Sequence, residues 1–155
     1  MADVQPIPDG YPRLCPYLSV SGGADAIDFY VKVLGATERM RMPGPDSTVG
    51  HAELAFGNSV VMLADEFPDM GAVSPATVGG TPVGLHLYVE DVDATYEAAL
   101  AAGATSTQAP EDKFYGDRNA SILDPWGHLW HLSAHIEDVP PEELERRAAE
   151  MAAGS

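Results

Sequence analysis

Ser121-Ile-Leu-Asp-Pro-Trp-Gly-His-Leu-Trp-His-Leu-Ser133 is the stretch on which the fold turns. Asp124-Pro125-Trp126-Gly127 has the makeup of a type I turn: the Asp side chain accepts a backbone N–H, Pro presets φ at the second position, and Gly suits the fourth. Apolar residues run up to the turn and away from it, which predicts a β-hairpin. Strand alternation puts Leu129, His131 and Ser133 on one face of the outgoing strand and Trp130 and Leu132 on the other. Trp130 then belongs to a core under a helix or to a subunit contact. His131 faces either a cavity or a plain hydrogen-bonded wall.

Upstream of this hairpin the pattern supplies three more elements. Val83 to Val89 reads as a strand. Val92 to Ala102 reads as a helix on Val92, Tyr96, Ala99 and Leu100, stopped at Gly103, and Thr105 to Gln108 reads as a short strand before a polar and aromatic loop, 109–117. The same order occurs earlier. Arg13 to Val20 is a predicted strand. Ala24 to Leu34 is a predicted helix on Ile27, Tyr30, Val31 and Leu34. Thr37 to Met42, Val49 to Phe56 and Ser59 to Ala64 are predicted strands, the last two joined by Gly57-Asn58. The repetition shows in the residues themselves: Asp25, Ala26, Gly35, Ala36 and Thr37 recur as Asp93, Ala94, Gly103, Ala104 and Thr105. They sit at matching structural positions, so the chain reads as a duplicated βαβββ unit. The fold class is α+β. One helix covers one face of each sheet, and two units side by side make an incomplete eight-stranded barrel with a cleft inside.

The expected organisation is a mobile Pro/Gly-rich arm over 1–12, a domain over 13–137 with modules at about 13–66 and 83–137, and a helical tail over 138–155. In the tail Pro141 suits a first turn, and Glu142/Arg146 and Glu143/Arg147 are i,i+4 pairs. A length of 155 residues with 45% hydrophobic and 21% charged residues suits one folded domain. The net charge of −16 argues against nucleic acid and anionic membrane as partners, both of which need a basic face. The single cysteine, Cys15, excludes an intrachain disulfide and a Cys-rich zinc site. The first residues show no basic-then-apolar leader, and no apolar run reaches spanning length, so a cytoplasmic location is expected.

Several short stretches taken together resemble a known family: Tyr17-Leu-Ser-Val20, Ala26-Ile-Asp-Phe-Tyr30, Gly50-His-Ala-Glu-Leu54, His86-Leu-Tyr-Val-Glu-Asp-Val-Asp93, Phe114-Tyr-Gly-Asp-Arg118 and Asp124-Pro-Trp-Gly-His128. They resemble the vicinal oxygen chelate superfamily of glyoxalase I, bleomycin-resistance proteins, fosfomycin-resistance proteins and extradiol dioxygenases. Within it they look most like the PhnB-like branch, over about residues 13–137. The resemblance implies the glyoxalase/bleomycin-resistance fold, a homodimer and a small-molecule ligand. It also implies four metal-ligand positions, on the first and last strands of each unit. Here those positions carry Cys15, Met62, Gly84 and His131. Glycine offers no side chain and methionine binds hard cations poorly, so the expectation is no cofactor.

Two functions are therefore weighed. The first is metal-independent binding of a small organic molecule, of the antibiotic-resistance type. Its expected ligand-binding residues are Tyr17, Ser19, Met62, His86, Tyr88, Tyr115, Arg118, Trp126 and His131, a mixture of aromatic area and polar tips. Arg118 is expected at the pocket mouth, gripping an anion or paired with Asp117, Asp124 or Glu111. The alternative is a lyase, isomerase or dioxygenase holding Zn, Ni, Fe or Mn at a displaced site of His51, Glu53, His86 and His131. In an enzyme, His86 and His131 are the candidate catalytic acid and base. Glu53 otherwise reads as a solvated or Arg-paired strand residue, and Cys15 as an inert thiol.

Overall fold

The computed structural model describes residues 3–154. The chain divides into two compact units, one up to Gly80 and one from Thr81 onward. The first unit runs β1 (Tyr17–Val20), α1 (Gly23–Lys32), β2 (Thr37–Pro43), β3 (Val49–Phe56), β4 (Ser59–Asp65) and a single-turn α2 (Pro75–Val78). Its sheet has the order β1-β4-β3-β2, with β1 parallel to β4 and the other pairs antiparallel. The alternating residues Leu18, Val20, Ala52, Leu54, Val61 and Leu63 are buried. Helix α1 packs on this sheet and buries Ala26, Ile27 and Tyr30. A side chain of the size of Ile27 or Leu54 contributes about 1.5–3 kcal/mol on burial.

Helix α1 begins at a glycine pair rather than at a capping side chain of its own. Asp65, from the end of β4, supplies the missing acceptor. Its Oδ1 accepts the N–H groups of Gly22 and Gly23 at 2.8 and 2.9 Å, and its Oδ2 accepts the N–H of Val49 at 2.7 Å. A Cβ at residue 23 would lie 2.8 Å from that carboxylate, so glycine is needed for the approach.

The second unit repeats the path: β5 (Gly84–Tyr88), α3 (Val92–Ala101), β6 (Thr105–Asp112), β7 (Asp117–Leu123) and β8 (Leu129–His135), followed by α4 (Pro141–Ala153). The order is β5-β8-β7-β6, again with the first and last strands parallel. Asp91 caps α3 by accepting the Ala94 N–H at 2.9 Å. Trp130 and Leu132 are buried on the face that carries α3, as alternation requires. The Asp124 carboxylate is buried in the β7–β8 turn. It accepts from the N–H groups of Trp126 and His128 at 2.9 and 3.0 Å and from Trp130 Nε1 at 2.9 Å.

Two strands differ from the sequence reading. The first is shorter: it starts at Tyr17, and Leu14, which strand alternation from Arg13 would put on the face of Leu18 and Val20, is 84% exposed. Pro12 and Pro16 lack the N–H that a ladder there would use. The sixth is longer: β6 continues to Asp112 through Pro110, and the loop expected over 109–117 shrinks to a tight turn. β6 is the sheet edge, where proline loses no ladder bond. Register shifts flank Gln108 on both sides. No helix among the described residues is long and apolar enough to cross a membrane.

Candidate functional site

Register aligns one polar row across the second sheet. Gln108 faces Ser121, Ser121 faces His131, and His131 faces His86. These four point to the side opposite α3, because their neighbours Ile122, Trp130 and Leu132 fill the helix side. They floor a cavity of about 850 Å³. Phe114 and Tyr115 form one wall, packed edge to face with ring centroids 5.3 Å apart. Glu111, Asp112, Lys113 and Glu137, with Arg147 and Met151 of α4, also line the cavity.

Hydrogen bonds fix most of this floor. Ser121 Oγ lies 2.8 Å from His131 Nδ1. The rings of His131 and His86 are 6.3 Å apart, and His86 in turn packs 5.1 Å from Tyr88. Ser133 Oγ donates to Asn119 Oδ1 at 2.8 Å, and Asn119 Nδ2 donates to Tyr115 OH at 2.5 Å, which holds the aromatic wall. Gln108 Nε2 is the exception: it is buried and has no hydrogen-bond partner. On the roof, Arg147 donates to Glu137 at 2.8 and 3.0 Å, to Glu143 at 2.8 Å and to the Phe114 carbonyl at 3.1 Å. These bonds raise the Arg147 pKa, and the guanidinium holds Glu137 below the usual carboxylate range.

The first unit carries a different arrangement in the corresponding row, Met40, Glu53, Met62 and Tyr17. Glu53 is 5% exposed. Tyr11 OH donates to its Oε2 at 2.8 Å, His51 Nε2 lies 3.2 Å from its Oε1, and Tyr17 OH lies 2.8 Å from His51 Nδ1. A carboxylate can only accept, so Nε2 of His51 carries the hydrogen and donates to Glu53. Burial pushes the Glu53 pKa up, but the bonds from Tyr11 and His51 and the charge of Arg39 outweigh it and leave the group below its ordinary value. The same bond to Glu53 raises the Tyr11 pKa, and burial raises that of Tyr17. The reading of Glu53 as solvated or Arg-paired is therefore corrected: it is buried, and its hydrogen bonds come from the Tyr11 phenol and the His51 ring.

Of the residues singled out from sequence, His86, Tyr115 and His131 line the second-unit cavity together. Met62 lines a separate cavity of the first unit, while Tyr17 is 52% exposed and held by His51. Ser19 lies on β1, Tyr88 stands exposed beside His86, and Trp126 sits in the Asp124 turn. Arg118 goes elsewhere. It shares the helix face with Ala120 and Ile122 and pairs with Asp93 of α3 at 2.6 and 2.8 Å and with Asp112 at 2.8 Å. None of the three expected carboxylates is its partner, and strand parity already excluded Asn119's face. Sequence reasoning missed Gln108, Ser121 and Arg147. Ser121 was legible from its pairing with His131, but Gln108 was not, because bulges set its register.

A family model described as Glyoxalase/Bleomycin resistance protein/Dioxygenase superfamily matches residues 15–132. The chain belongs to this superfamily. An uncharacterized protein of Mycobacterium tuberculosis H37Rv is 45% identical over 137 residues, which are 86% of this chain and 81% of that one. The crystal structure of TioX from Micromonospora sp. ML1 is 26% identical and superposes with a TM-score of 0.61, covering 83% of this chain and all of that one. A glyoxalase/bleomycin resistance protein/dioxygenase family enzyme from Burkholderia phytofirmans shares the fold at 23% identity and a TM-score of 0.62, over 77% of this chain and 95% of its own.

The superfamily's usual divalent metal does not fit the residues present. Position 84 is glycine, and a Cβ there would lie 2.6 Å from His131 Nε2, so the imidazole itself fills the space a ligand side chain needs. Cys15 donates weakly to the Pro12 carbonyl at 3.5 Å, and Met62 offers a thioether. Among the described residues no three His, Cys, Asp or Glu side chains gather as a metal-binding group.

Proposed function

We propose that the protein captures a small organic molecule in the second-unit cavity without a resident metal, as a PhnB-like member of the superfamily working in the antibiotic-resistance manner. The observation that carries this is the buried, unmet Gln108 Nε2 beside the Ser121–His131 pair. A buried donor without an acceptor costs about 1–3 kcal/mol, and a ligand oxygen or ring nitrogen laid over the row relieves it. The volume of about 850 Å³ lies in the range of small-molecule sites, and Phe114 and Tyr115 offer apolar area against which the rest of the ligand packs. An aromatic cation such as a bleomycin-type drug also suits the net charge of −16.

Calorimetric titration with bleomycin-type and other aromatic cationic compounds tests the reading. Saturable heat is expected with the native protein and a loss of at least tenfold in affinity in Gln108→Leu. No heat with any of them removes it.

The adjacent imidazoles of His86 and His131 favour a second reading, an enzyme in which these two move a proton. Its metal-dependent form would hold a divalent ion as well. One equivalent of Zn, Ni, Fe or Mn in protein purified without a metal-affinity tag supports that form. The homodimer is likewise proposed, and sedimentation equilibrium tests it by a mass of two chains.

A further inference from the structure

The geometry points to a second ligand site in the first unit, built to take the ammonium group of an apolar primary amine onto Glu53. It is independent of the second-unit cavity, so the two stand or fall separately. A cavity of about 630 Å³ lies over the first sheet, walled by Pro6, Ile7, Pro8, Pro12, Cys15 and Met62, with Glu53 in its lining. The walls are apolar apart from Arg13, which is exposed, and Tyr11. A buried carboxylate in such surroundings is ordinarily matched by a cation, because desolvating the lone charge costs several kcal/mol. Glu53 has only a more distant Arg39 charge and the His51 ring, a cation only when protonated, to set against its own. Its hydrogen bonds come from the Tyr11 phenol and the His51 ring, and among the described residues no Lys or Arg forms an ion pair with it.

Arg39 forms no ion pair with Glu53 and lies instead over the Tyr11 ring, 4.4 Å from its centroid. Each carboxylate oxygen of Glu53 accepts one bond here, which leaves each with a further lone pair. An ammonium group carries three donors and one positive charge, and it completes both oxygens while supplying a full positive charge in direct contact. The hydrocarbon part of the amine then lies along the prolines, Ile7 and Met62. A neutral alcohol of the same length gains the apolar contact only. A carboxylate meets Glu53 as a like charge.

The test uses n-hexylamine, 1-hexanol and hexanoate as probes on the whole chain. Calorimetry reads affinity, and the methyl resonance of Met62, assigned with Met62→Leu, reports where the probe sits. Hexylamine is expected to saturate one site, to shift Met62 and to bind at least tenfold tighter than hexanol. Glu53→Gln is expected to remove that preference, and His131→Ala, in the other unit, is expected to leave it in place. Should Glu53→Gln fail to fold, the ranking of the three probes on the native protein decides. Equal binding of amine and alcohol, preference for hexanoate, an unmoved Met62 resonance, or a preference that survives Glu53→Gln each overturns the proposal.

Discussion

The two units follow one chain path and carry different chemistry on it. Across the sheet of the first lie Met40, Glu53, Met62 and Tyr17; across the second lie Gln108, Ser121, His131 and His86. The helix-covered faces of the two sheets are alike, each an alternation of Val, Leu, Ile and Ala with one large aromatic nearby. Packing against α1 or α3 holds that face to a fixed pattern, because a one-residue slip would turn it outward. The opposite face is free of that constraint, so a buried carboxylate stands on one copy and a pair of imidazoles on the other.

The largest expected break between the units concerns their hairpin turns. Asp124→Ala leaves the N–H groups of Trp126 and His128 and the Trp130 indole without their acceptor, and about 3 kcal/mol of stability should go. Asn58→Ala, in the equivalent turn of the first unit, should cost under about 1 kcal/mol. Urea unfolding of both variants makes the comparison, and equal losses would mean that the buried carboxylate is idle.

Next in size is the first-strand pair, Gly84 against Cys15. Gly84→Ala forces the His131 ring to shift and should cost about 1–3 kcal/mol, most of it recovered in the double variant Gly84→Ala/His131→Ala. Cys15→Ala should stay within about 1 kcal/mol. A double-mutant cycle with no coupling would refute the contact.

Tyr11→Phe probes the first unit alone. It removes one donor to a buried carboxylate and should cost about 1–2 kcal/mol in thermal or chemical unfolding. A melting curve identical to the native one would show that the arm bond contributes nothing.

The smallest effect is a pH dependence at His135, whose ring nitrogens lie 2.8 Å from Asp117 and from Asp138. Those carboxylates raise its pKa. The protonated ring is thus favoured on folding, and its stabilisation is full below the unfolded value of about 6.5. It fades as pH rises through the higher folded value. The Tm difference between the native protein and His135→Gln should be widest in acid and close toward pH 9; a constant or widening gap contradicts the assignment.

Much of this architecture could be read from the chain because periodicity marks it. Leu18, Leu54, Trp130 and Leu132 alternate with polar neighbours, and Gly35 and Gly103 end helices at matching places. The departures lie where local pattern is silent. Pro110 reads as a strand breaker until β6 is known to be an edge, and Leu14 reads as core until the prolines on either side are seen to deny it a ladder. The site was legible where strand parity alone decides, as for His86 and His131. Arg118 shows the cost of weighing aromatic neighbours above parity, for the same alternation that buries Ile122 sends its guanidinium toward α3 and Asp93. Gln108 and the tail's Arg147 depend on bulges and on a helix that folds back, and neither leaves a trace in residue spacing.

The close seat of the His131 ring over Gly84 also ties the two parallel strands into one adjustable unit. A group added at 84 has to swing the imidazole, and the swing carries away the hydroxyl contact with Ser121, so any graft on β5 is felt two strands along.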